Sequence, residues 1–333
     1  MSGAEPVLEM RDVGVELAPL GGAARRITSD VDLALHAGRT LALVGESGCG
    51  KSVTALAAMN LLAPPLRLGT GHILLRTPGA APRDLTRLSP AELRAARGGQ
   101  LGMIFQDPMT ALDPAFQVGE QIAESLRAHL GLSRRAAHDR AVELLQLVGI
   151  HEPERRVRAY PFQLSGGMRQ RVMIAIAVAC SPAVLIADEP TTALDVTVQA
   201  QILELLRELG ARLGMATLLI THDLGVVAEN ADTVAVMYRG RIVERASAEA
   251  LFTAPAHPYT RGLLASLPPL DGPRERLRPI PGQVPPAGVA DADCPFVARC
   301  PEAMPRCLAA RPALTAIAPE HEAACFLHAT VAA

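Results

Sequence analysis

Residues 40–62 read TLALVGESGCGKSVTALAAMNLL, and this stretch decides how the chain begins to fold. Its first five residues form the short apolar run that is typical of a buried parallel strand. The next eight match the pattern G-x-x-x-x-G-K-S, in which glycines let backbone N–H groups turn around phosphate oxygens. A helix ended by Pro64-Pro65 follows, and its positive end would face the anion. The stretch therefore predicts a strand, a phosphate-binding loop and a helix.

Every residue of this loop is a candidate nucleotide contact. Lys51 would reach the β- and γ-phosphates, and the Ser52 hydroxyl would be a ligand of Mg²⁺. A helix N-terminus can lower the pKa of a thiol, which would make Cys49 prone to oxidation; we favour a tolerated residue at a permissive position. The predicted contacts are Gly45, Glu46, Ser47, Gly48, Cys49, Gly50, Lys51 and Ser52.

A second motif, AVLIADE at residues 183–189, places two carboxylates at the end of an apolar strand. Such a pair is common at strand ends, but downstream of a phosphate-binding loop it indicates a metal–nucleotide site. Asp188 would hold Mg²⁺, directly or through water. Glu189 would polarise the attacking water as a general base.

A third motif, LSGGMRQR at residues 164–171, opens a helix. Ser165 is a good N-cap, and the two glycines after it expose the amides of the first turn. A purely structural helix needs neither Gly166 nor Gly167, because glycine weakens a helix start. The motif therefore predicts a second anion site in the same chain.

The composition of the 333 residues limits the possible functions. A formal net charge of −2 does not favour a protein that binds nucleic acid, since such chains usually carry a strong basic excess. No secretion signal is visible, and the most apolar stretch, residues 172–187, is short for a membrane span and contains Pro182. Strands alternate with helices before and after a helix-rich block at about residues 114–181, which predicts a parallel-sheet core with a helical insertion.

The order of these motifs resembles the nucleotide-binding subunits of ABC transporters, over residues 7–251 or so. The resemblance implies an α/β fold of the P-loop NTPase class within residues 1–255. It also implies a helical subdomain at about residues 107–182 and an antiparallel β arm. Two of the chain's features depart from the family: Met168 stands where Gln is commonest, and no aromatic residue precedes Phe105 to stack on adenine. Leu17 is the nearest apolar candidate for that role.

In that family two subunits enclose two ATP molecules head to tail, and the resemblance assigns roles on that basis. Ser165 and Gly167 would contact the γ-phosphate bound to the partner subunit, and Asp195 would cross the dimer interface. Gln106 matches the glutamine that senses Mg²⁺ and water, and His222 matches the histidine that contacts the γ-phosphate. The predicted catalytic residues are therefore Glu189, His222 and Gln106.

After about residue 266 the chain changes character. Seven prolines within 19 residues predict an extended linker: Pro268, Pro269, Pro273, Pro279, Pro281, Pro285 and Pro286. The motifs HPYTR at residues 257–261, IPG at 280–282 and CPFVARCP at 294–301 resemble the C-terminal extension of dipeptide and oligopeptide importer ATPases. Residues 256–333 are thus predicted to be that extension, in a "D-type" ATPase that pairs with a homologous "F-type" ATPase or with itself.

Four cysteines of the extension are candidate metal ligands: Cys294, Cys300, Cys307 and Cys325. Zinc sites favour cysteine pairs two to four residues apart, and this chain has no such pair. The Cys-Pro dipeptides favour an iron–sulfur cluster of the [4Fe–4S] type, as in some relatives with this extension. Zinc, or four thiols without a metal, remain the alternatives.

The motifs together predict an ATPase that powers import of di- or oligopeptides, bound peripherally to the cytoplasmic face of the inner membrane. Its predicted partners are a second ATPase subunit, two permease subunits and, indirectly, a substrate-binding protein, but no nucleic acid. The alternative cargoes for such an importer are nickel chelates, glutathione or antimicrobial peptides. The alternative from another class is a soluble ABC ATPase that does not transport.

Overall fold

The computed structural model describes residues 5–19, 22–77, 79–192, 194–267, 279–284 and 293–328. Contacts divide the chain into two compact units. The first unit comprises residues 1–8, 34–40 and 74–220, and the second comprises residues 9–33, 41–73 and 221–333. No helix within the described ranges combines the length and the apolar composition that a membrane crossing requires.

Twelve strands are defined within the described residues. They are β1 Leu8–Leu17, β2 Arg25–Leu35, β3 Thr40–Val44, β4 Leu66–Leu75, β5 Arg83–Asp84, β6 Leu101–Ile104, β7 Val184–Asp188, β8 Ala216–Ile220, β9 Thr233–Tyr238, β10 Arg241–Ser247, β11 Thr315–Ala318 and β12 His321–Ala323.

The α-helices are likewise twelve in the part of the chain that is described. They are α1 Lys51–Ala58, α2 Pro90–Ala96, α3 Pro108–Ala111, α4 Val118–Leu130, α5 Arg134–Leu147, α6 Pro153–Arg156, α7 Gly166–Val178, α8 Val196–Leu213, α9 Leu224–Asn230, α10 Ala248–Thr253, α11 Pro258–Ala265 and α12 Pro305–Ala309.

The first unit contains a parallel sheet in the order β8-β7-β6. All residues of β7 and β8 are buried, as expected of parallel strands covered on both faces. Helices α4, α5 and α7 pack against one another, and α7 also packs against β6. Helices α4 and α5 each have a buried apolar stripe, which in α4 is formed by Val118, Ile122 and Leu126, whereas α7 is buried on most sides from Val172 onward.

The second unit contains a mixed sheet in the order β11-β12-β10-β9-β3. Strands β3 and β9 are parallel, and the other neighbours in this order are antiparallel. A separate sheet has the order β2-β1-β4. One apolar core joins β3, β9 and β10 to the residues after 256, and its largest buried side chains are Tyr238, Tyr259 and Phe296.

The C-terminal residues are thereby placed on the sheet that carries the phosphate-binding loop. Strand β12 pairs with β10, with Glu244 opposite Ala323. Of the predicted linker, Pro279 and Pro281 are exposed and lie in neither helix nor strand. The other prolines lie outside the described residues: Pro268, Pro269, Pro273, Pro285 and Pro286.

Candidate nucleotide site

The phosphate-binding loop connects β3 to α1 in the second unit, and two of its glycines are dictated by geometry. Gly45 has φ +152° and its backbone lies so close to the Met237 carbonyl that a Cβ would stand 2.2 Å from the oxygen. Gly50 has φ +112° and is the N-cap of α1. Other residues would be strained in these conformations, so the loop requires glycine at both positions.

Lys51, the first residue of α1, lies inside the curve of the loop. Its Nζ donates hydrogen bonds to the carbonyl oxygens of Gly45, at 2.8 Å, and Glu46, at 3.2 Å. The residue is only 5% exposed. The backbone of the loop thus holds the ammonium group, a compact positive charge suited to phosphate oxygens, in a fixed place. Ser52 follows on α1 and is half-buried.

Cys49 is buried beneath the loop. Burial raises the pKa of its thiol, so the helix N-terminus does not make it an oxidation-prone thiolate. Its carbonyl accepts a hydrogen bond from Gly240 N, at 2.7 Å, in the turn between β9 and β10. The structure thus agrees that Cys49 is not a reactive thiol, but the position is a packed one and not permissive as predicted.

Glu46 is bound by two residues of the C-terminal extension, a contact that the sequence did not predict. The Tyr259 hydroxyl accepts a hydrogen bond from Glu46 N, at 2.9 Å. Arg299 donates two hydrogen bonds to the Glu46 carboxylate, at 2.7 and 3.0 Å. More than 200 residues separate these partners along the chain, so no spacing rule links them. The only sequence signal was that both lie in the motifs HPYTR and CPFVARCP.

In the first unit, the structure brings together two predicted catalytic residues, Glu189 and Gln106. Asp188 is buried at the end of β7, and Glu189 follows with φ +46°. The Glu189 carboxylate accepts hydrogen bonds from Gln106 Nε2, at 3.1 Å, and from Thr192 Oγ1, at 2.9 Å. A positive φ is uncommon outside glycine, and it persists because the surrounding hydrogen bonds fix it. Thr192 was not among the predicted site residues.

The Leu-Ser-Gly-Gly motif opens α7 as predicted. Ser165 is the N-cap, and its Oγ accepts a hydrogen bond from Met168 N, at 3.4 Å. Gly166 is exposed. A Cβ on Gly167 would lie 2.8 Å from a methyl group of Val198 on α8, so close helix packing also requires a small residue there.

Asp195 and His222 are both exposed. Asp195 is the N-cap of α8, and its carboxylate accepts a hydrogen bond from Val198 N, at 3.0 Å. His222 lies between Thr221, whose hydroxyl accepts a hydrogen bond from Asp223 N, and Asp223, the N-cap of α9. Asp195 therefore has a structural role in this chain besides the predicted one.

The four cysteines of the extension are free thiols in the second unit. Cys294 N donates a hydrogen bond to the Cys307 carbonyl, at 2.9 Å. Burial raises the pKa of the Cys294 thiol to about 11, and the other three cysteines push it in the same direction. Burial also raises the pKa values of Cys300 and Cys325. Among the described side chains, no group of three or more His, Cys, Asp or Glu is arranged to hold a metal ion.

Comparison with known proteins identifies the family. The family described as ABC transporter matches residues 28–192, and the oligopeptide/dipeptide transporter C-terminal region matches residues 243–307. The dipeptide transport ATP-binding protein DppD of Bacillus subtilis is 47% identical over 97% of this chain and 95% of its own length. This chain belongs to the ATP-binding subunits of ABC transporters. Within them it has the C-terminal region of the oligopeptide/dipeptide type.

Other similar proteins agree with this assignment. The oligopeptide transport ATP-binding protein OppD of Bacillus subtilis is 52% identical over 84% of this chain and 77% of its own length. The dimeric post-hydrolysis structure of the ATP-binding cassette MJ0796 with ADP and Pi has a TM-score of 0.64 and 26% identity. The match covers 72% of this chain and 98% of the MJ0796 chain. The predicted fold, an ABC-type P-loop NTPase, and the predicted ATPase class are confirmed.

Proposed function

We propose that this chain hydrolyses ATP to energise the import of di- or oligopeptides. The observation that carries the catalytic part is the Glu189 carboxylate, which directly follows Asp188 and is oriented by Gln106 and Thr192. A carboxylate fixed in this way suits a general base that must orient one water. The names of the relatives, all peptide-transport ATP-binding proteins, support the cargo.

The donor chemistry of the proposed site fits ATP and Mg²⁺. A loop of backbone amides with a buried ammonium group, Lys51, suits a triphosphate. Hydroxyl, amide and carboxylate oxygens are the ligands that Mg²⁺ prefers, and the proposed ligands are Ser52, Gln106 and Asp188. Bound Mg²⁺ would neutralise charge on the phosphates. The residues proposed to contact the nucleotide are Gly45, Glu46, Ser47, Gly48, Cys49, Gly50, Lys51 and Ser52.

Catalysis is proposed to require a second subunit. Ser165, Gly166 and Gly167 would bind the γ-phosphate held by that subunit, because the first turn of α7 directs its amides outward. Asp195 would contact the interface and His222 the γ-phosphate. The MJ0796 cassette was solved as a dimer, which supports this arrangement. The partner would be an F-type ATPase or a second copy of this chain. The two ATPase subunits would bind two permeases at the inner membrane, and a substrate-binding protein would deliver the substrate to these permeases.

We also propose the domain division implied by the motifs. Residues 1–255 would form the nucleotide-binding domain, with a helical subdomain at about 107–182 and an antiparallel β arm, and residues 256–333 the importer-type extension. The match of the oligopeptide/dipeptide C-terminal region to residues 243–307 supports an extension at this place.

For the extension, the [4Fe–4S] cluster remains a proposal that rests on the chemistry of four thiols. The backbone of Cys294 is hydrogen-bonded to that of Cys307, which brings at least these two residues together. The described thiols are not arranged as a ligand set, so no step of the reaction is assigned to a cluster. Iron and sulfide analysis of anaerobically purified protein, with absorbance near 400 nm, tests it. Colourless, iron-free protein of full stability would refute it.

The catalytic proposal is tested by Glu189→Gln. We expect this variant to bind MgATP with little change and to lose hydrolysis by about 10²-fold or more, because the amide cannot accept the proton of the attacking water. Glu204→Gln, on the surface of α8, is the matched control and should hydrolyse ATP normally. Unchanged hydrolysis in Glu189→Gln would refute the assignment of the base.

The transport proposal is tested by co-expression with two candidate permease subunits of a peptide importer. ATP-dependent uptake of labelled dipeptides into membrane vesicles is expected. Uptake of a nickel chelate, glutathione or an antimicrobial peptide instead would change the cargo. A monodisperse soluble protein whose ATPase is stimulated by RNA or DNA would refute transport.

A further inference from the structure

Two residues of the C-terminal extension form hydrogen bonds with the phosphate-binding loop itself. Both act on Glu46, the second residue of the loop. The Tyr259 hydroxyl accepts a hydrogen bond from its backbone N–H, at 2.9 Å. The Arg299 guanidinium binds both oxygens of its carboxylate, at 2.7 and 3.0 Å. One loop residue is thus fixed through its backbone and through its side chain.

The Arg299 side chain is built into the protein and is only 4% exposed. Its Nε donates a hydrogen bond to the Pro281 carbonyl, at 2.9 Å. Its guanidinium also lies 5.8 and 5.9 Å from the ring centroids of Tyr238 and Phe296. Three hydrogen bonds and two ring contacts restrict the movement of this planar guanidinium, so it holds the Glu46 carboxylate in one orientation.

The charge of Glu46 makes this contact relevant to nucleotide binding. A carboxylate on a loop that receives a triphosphate opposes binding, because like charges repel. Arg299 offsets that charge with a bidentate pair. The pair is strong enough that Glu46 raises the pKa of Arg299 above its ordinary value.

Tyr259 makes the second contact from a fully buried ring. It packs against Tyr238 and Phe296, with centroids 4.7 and 5.4 Å away. Because these two rings hold the Tyr259 ring in place, its hydroxyl is fixed, and the hydrogen bond from Glu46 N fixes the start of the loop next to Gly45.

We propose that Arg299 and Tyr259 are positioning residues of the phosphate-binding loop. Arg299 neutralises and orients the Glu46 carboxylate, and Tyr259 holds the loop backbone, so that the extension sets the affinity for the nucleotide. Both residues would act on the nucleotide through Glu46. The inference rests on the proposed role of residues 45–52 as the phosphate-binding site.

The test is a double-mutant cycle on the full chain, with MgADP affinity measured by calorimetry. We expect Arg299→Ala to weaken MgADP binding by about tenfold in the wild-type background, and by less than about threefold in a Glu46→Gln background. Arg299→Lys, which keeps the charge but not the two-pronged geometry, should fall between. An equal loss in both backgrounds, or no loss, would overturn the role of Arg299.

Control variants separate this inference from general damage to the extension. Arg261 forms an exposed ion pair with Glu302 in the same extension, at 2.7 Å, and Arg261→Ala should bind MgADP normally. Tyr259→Phe keeps the packed ring and removes the acceptor, so it should weaken MgADP binding several-fold even if Arg299→Ala does not fold. Wild-type affinity in Tyr259→Phe would overturn the role of Tyr259.

Lys51→Ala tests the proposed function on which the inference rests. This variant should lose MgADP binding, because it removes the ammonium group of the loop. Retained binding would refute the phosphate-binding role of the loop. Lost binding in Lys51→Ala together with unchanged affinity in Arg299→Ala and Tyr259→Phe would refute the inference alone.

Discussion

His257 shows how the environment of one side chain sets its protonation. It is the N-cap of α11, and its Nδ1 accepts a hydrogen bond from Tyr259 N, at 3.0 Å. Burial lowers its pKa to about 3, and the positive charge of Arg261 and the His328 ring act in the same direction. The imidazole is therefore neutral in the folded protein at any pH at which the protein is handled.

This burial predicts a loss of stability in acid. Above pH 6.5 the imidazole is neutral in both states, so it contributes no pH dependence. As the pH falls from about 6.5 towards 3, the unfolded chain binds a proton that the folded protein rejects, so the free energy of unfolding falls by up to about 1.4 kcal/mol per pH unit. Urea unfolding at pH 7.5, 6.5, 5.5 and 4.5 measures this pH dependence of the free energy of unfolding.

His257→Asn is the matched variant, because its side-chain oxygen can still accept the Tyr259 N–H and does not titrate. Between pH 6.5 and 4.5, we expect the free energy of unfolding of this variant to fall by about 2 kcal/mol less than that of the wild type. Identical pH profiles for the two proteins would show that His257 is not the group responsible.

Among the elements, β6 and α7 lie unusually close. A Cβ on Gly102 of β6 would stand 2.3 Å from the Ala177 carbonyl oxygen of α7. The backbone of a helix cannot yield as a side chain can, so this strand needs a residue without Cβ. The predicted catalytic residue Gln106 lies two residues after the end of β6, so the packing of this strand also helps to position Gln106.

Gly102→Ala should lower the free energy of unfolding by about 1–3 kcal/mol through overpacking. Gly210→Ala is the contrasting variant: its Cβ would meet only the Thr217 hydroxyl, at 3.6 Å, in the interior of α8. There alanine should stabilise by up to about 1 kcal/mol, through helix propensity. Denaturant unfolding of the two variants should shift the midpoints in opposite directions, and equal shifts would contradict the packing argument.

Helix α8 offers a way to separate two roles of Asp195. As an N-cap, the residue should tolerate Ser within a few tenths of a kcal/mol, whereas Ala should cost about 1 kcal/mol. If the carboxylate also crosses the dimer interface, Asp195→Ser should keep the thermal stability and lose part of the ATPase activity. Full activity in Asp195→Ser would leave Asp195 as a capping residue only.

At the scale of the whole chain, a buried carboxylate on β10 connects residues that lie far apart in the sequence. Glu244 has no exposed surface, and it accepts hydrogen bonds from Ala256 N, His257 N and His321 Nε2, at 2.7, 2.9 and 2.8 Å. These partners connect the central sheet of the second unit to the start of the extension and to β12. A buried charge needs every such partner.

His321→Leu should therefore lower the free energy of unfolding by about 1–3 kcal/mol, since it fills the space but removes one donor from Glu244. His321→Gln can still donate an N–H and should lose clearly less. Thermal unfolding of both variants checks this. Equal losses would show that packing of the ring, and not its hydrogen bond, is what matters.

Much of the fold followed from local patterns in the sequence. The apolar run at 40–44 is β3, and the helix-rich block predicted at about residues 114–181 contains α4, α5 and α7. The predicted helix after the loop ends earlier, at Ala58, because Met59 leaves the helix and Asn60 takes φ +50°. Boundaries of this kind depend on backbone conformations that apolar periodicity does not encode.

The order of strand, loop and helix around residues 45–52 followed from the sequence, because the glycines, the lysine and the flanking elements are neighbours along the chain. The same holds for Ser165, which caps the helix that it begins. The contact of Glu46 with Arg299 and Tyr259 was decided only by the tertiary structure, as were the hydrogen bond from Gln106 to Glu189 and the burial of Cys49. Local hydrogen bonds and glycine conformations follow sequence spacing, whereas contacts across hundreds of residues depend on how the sheets and the core close.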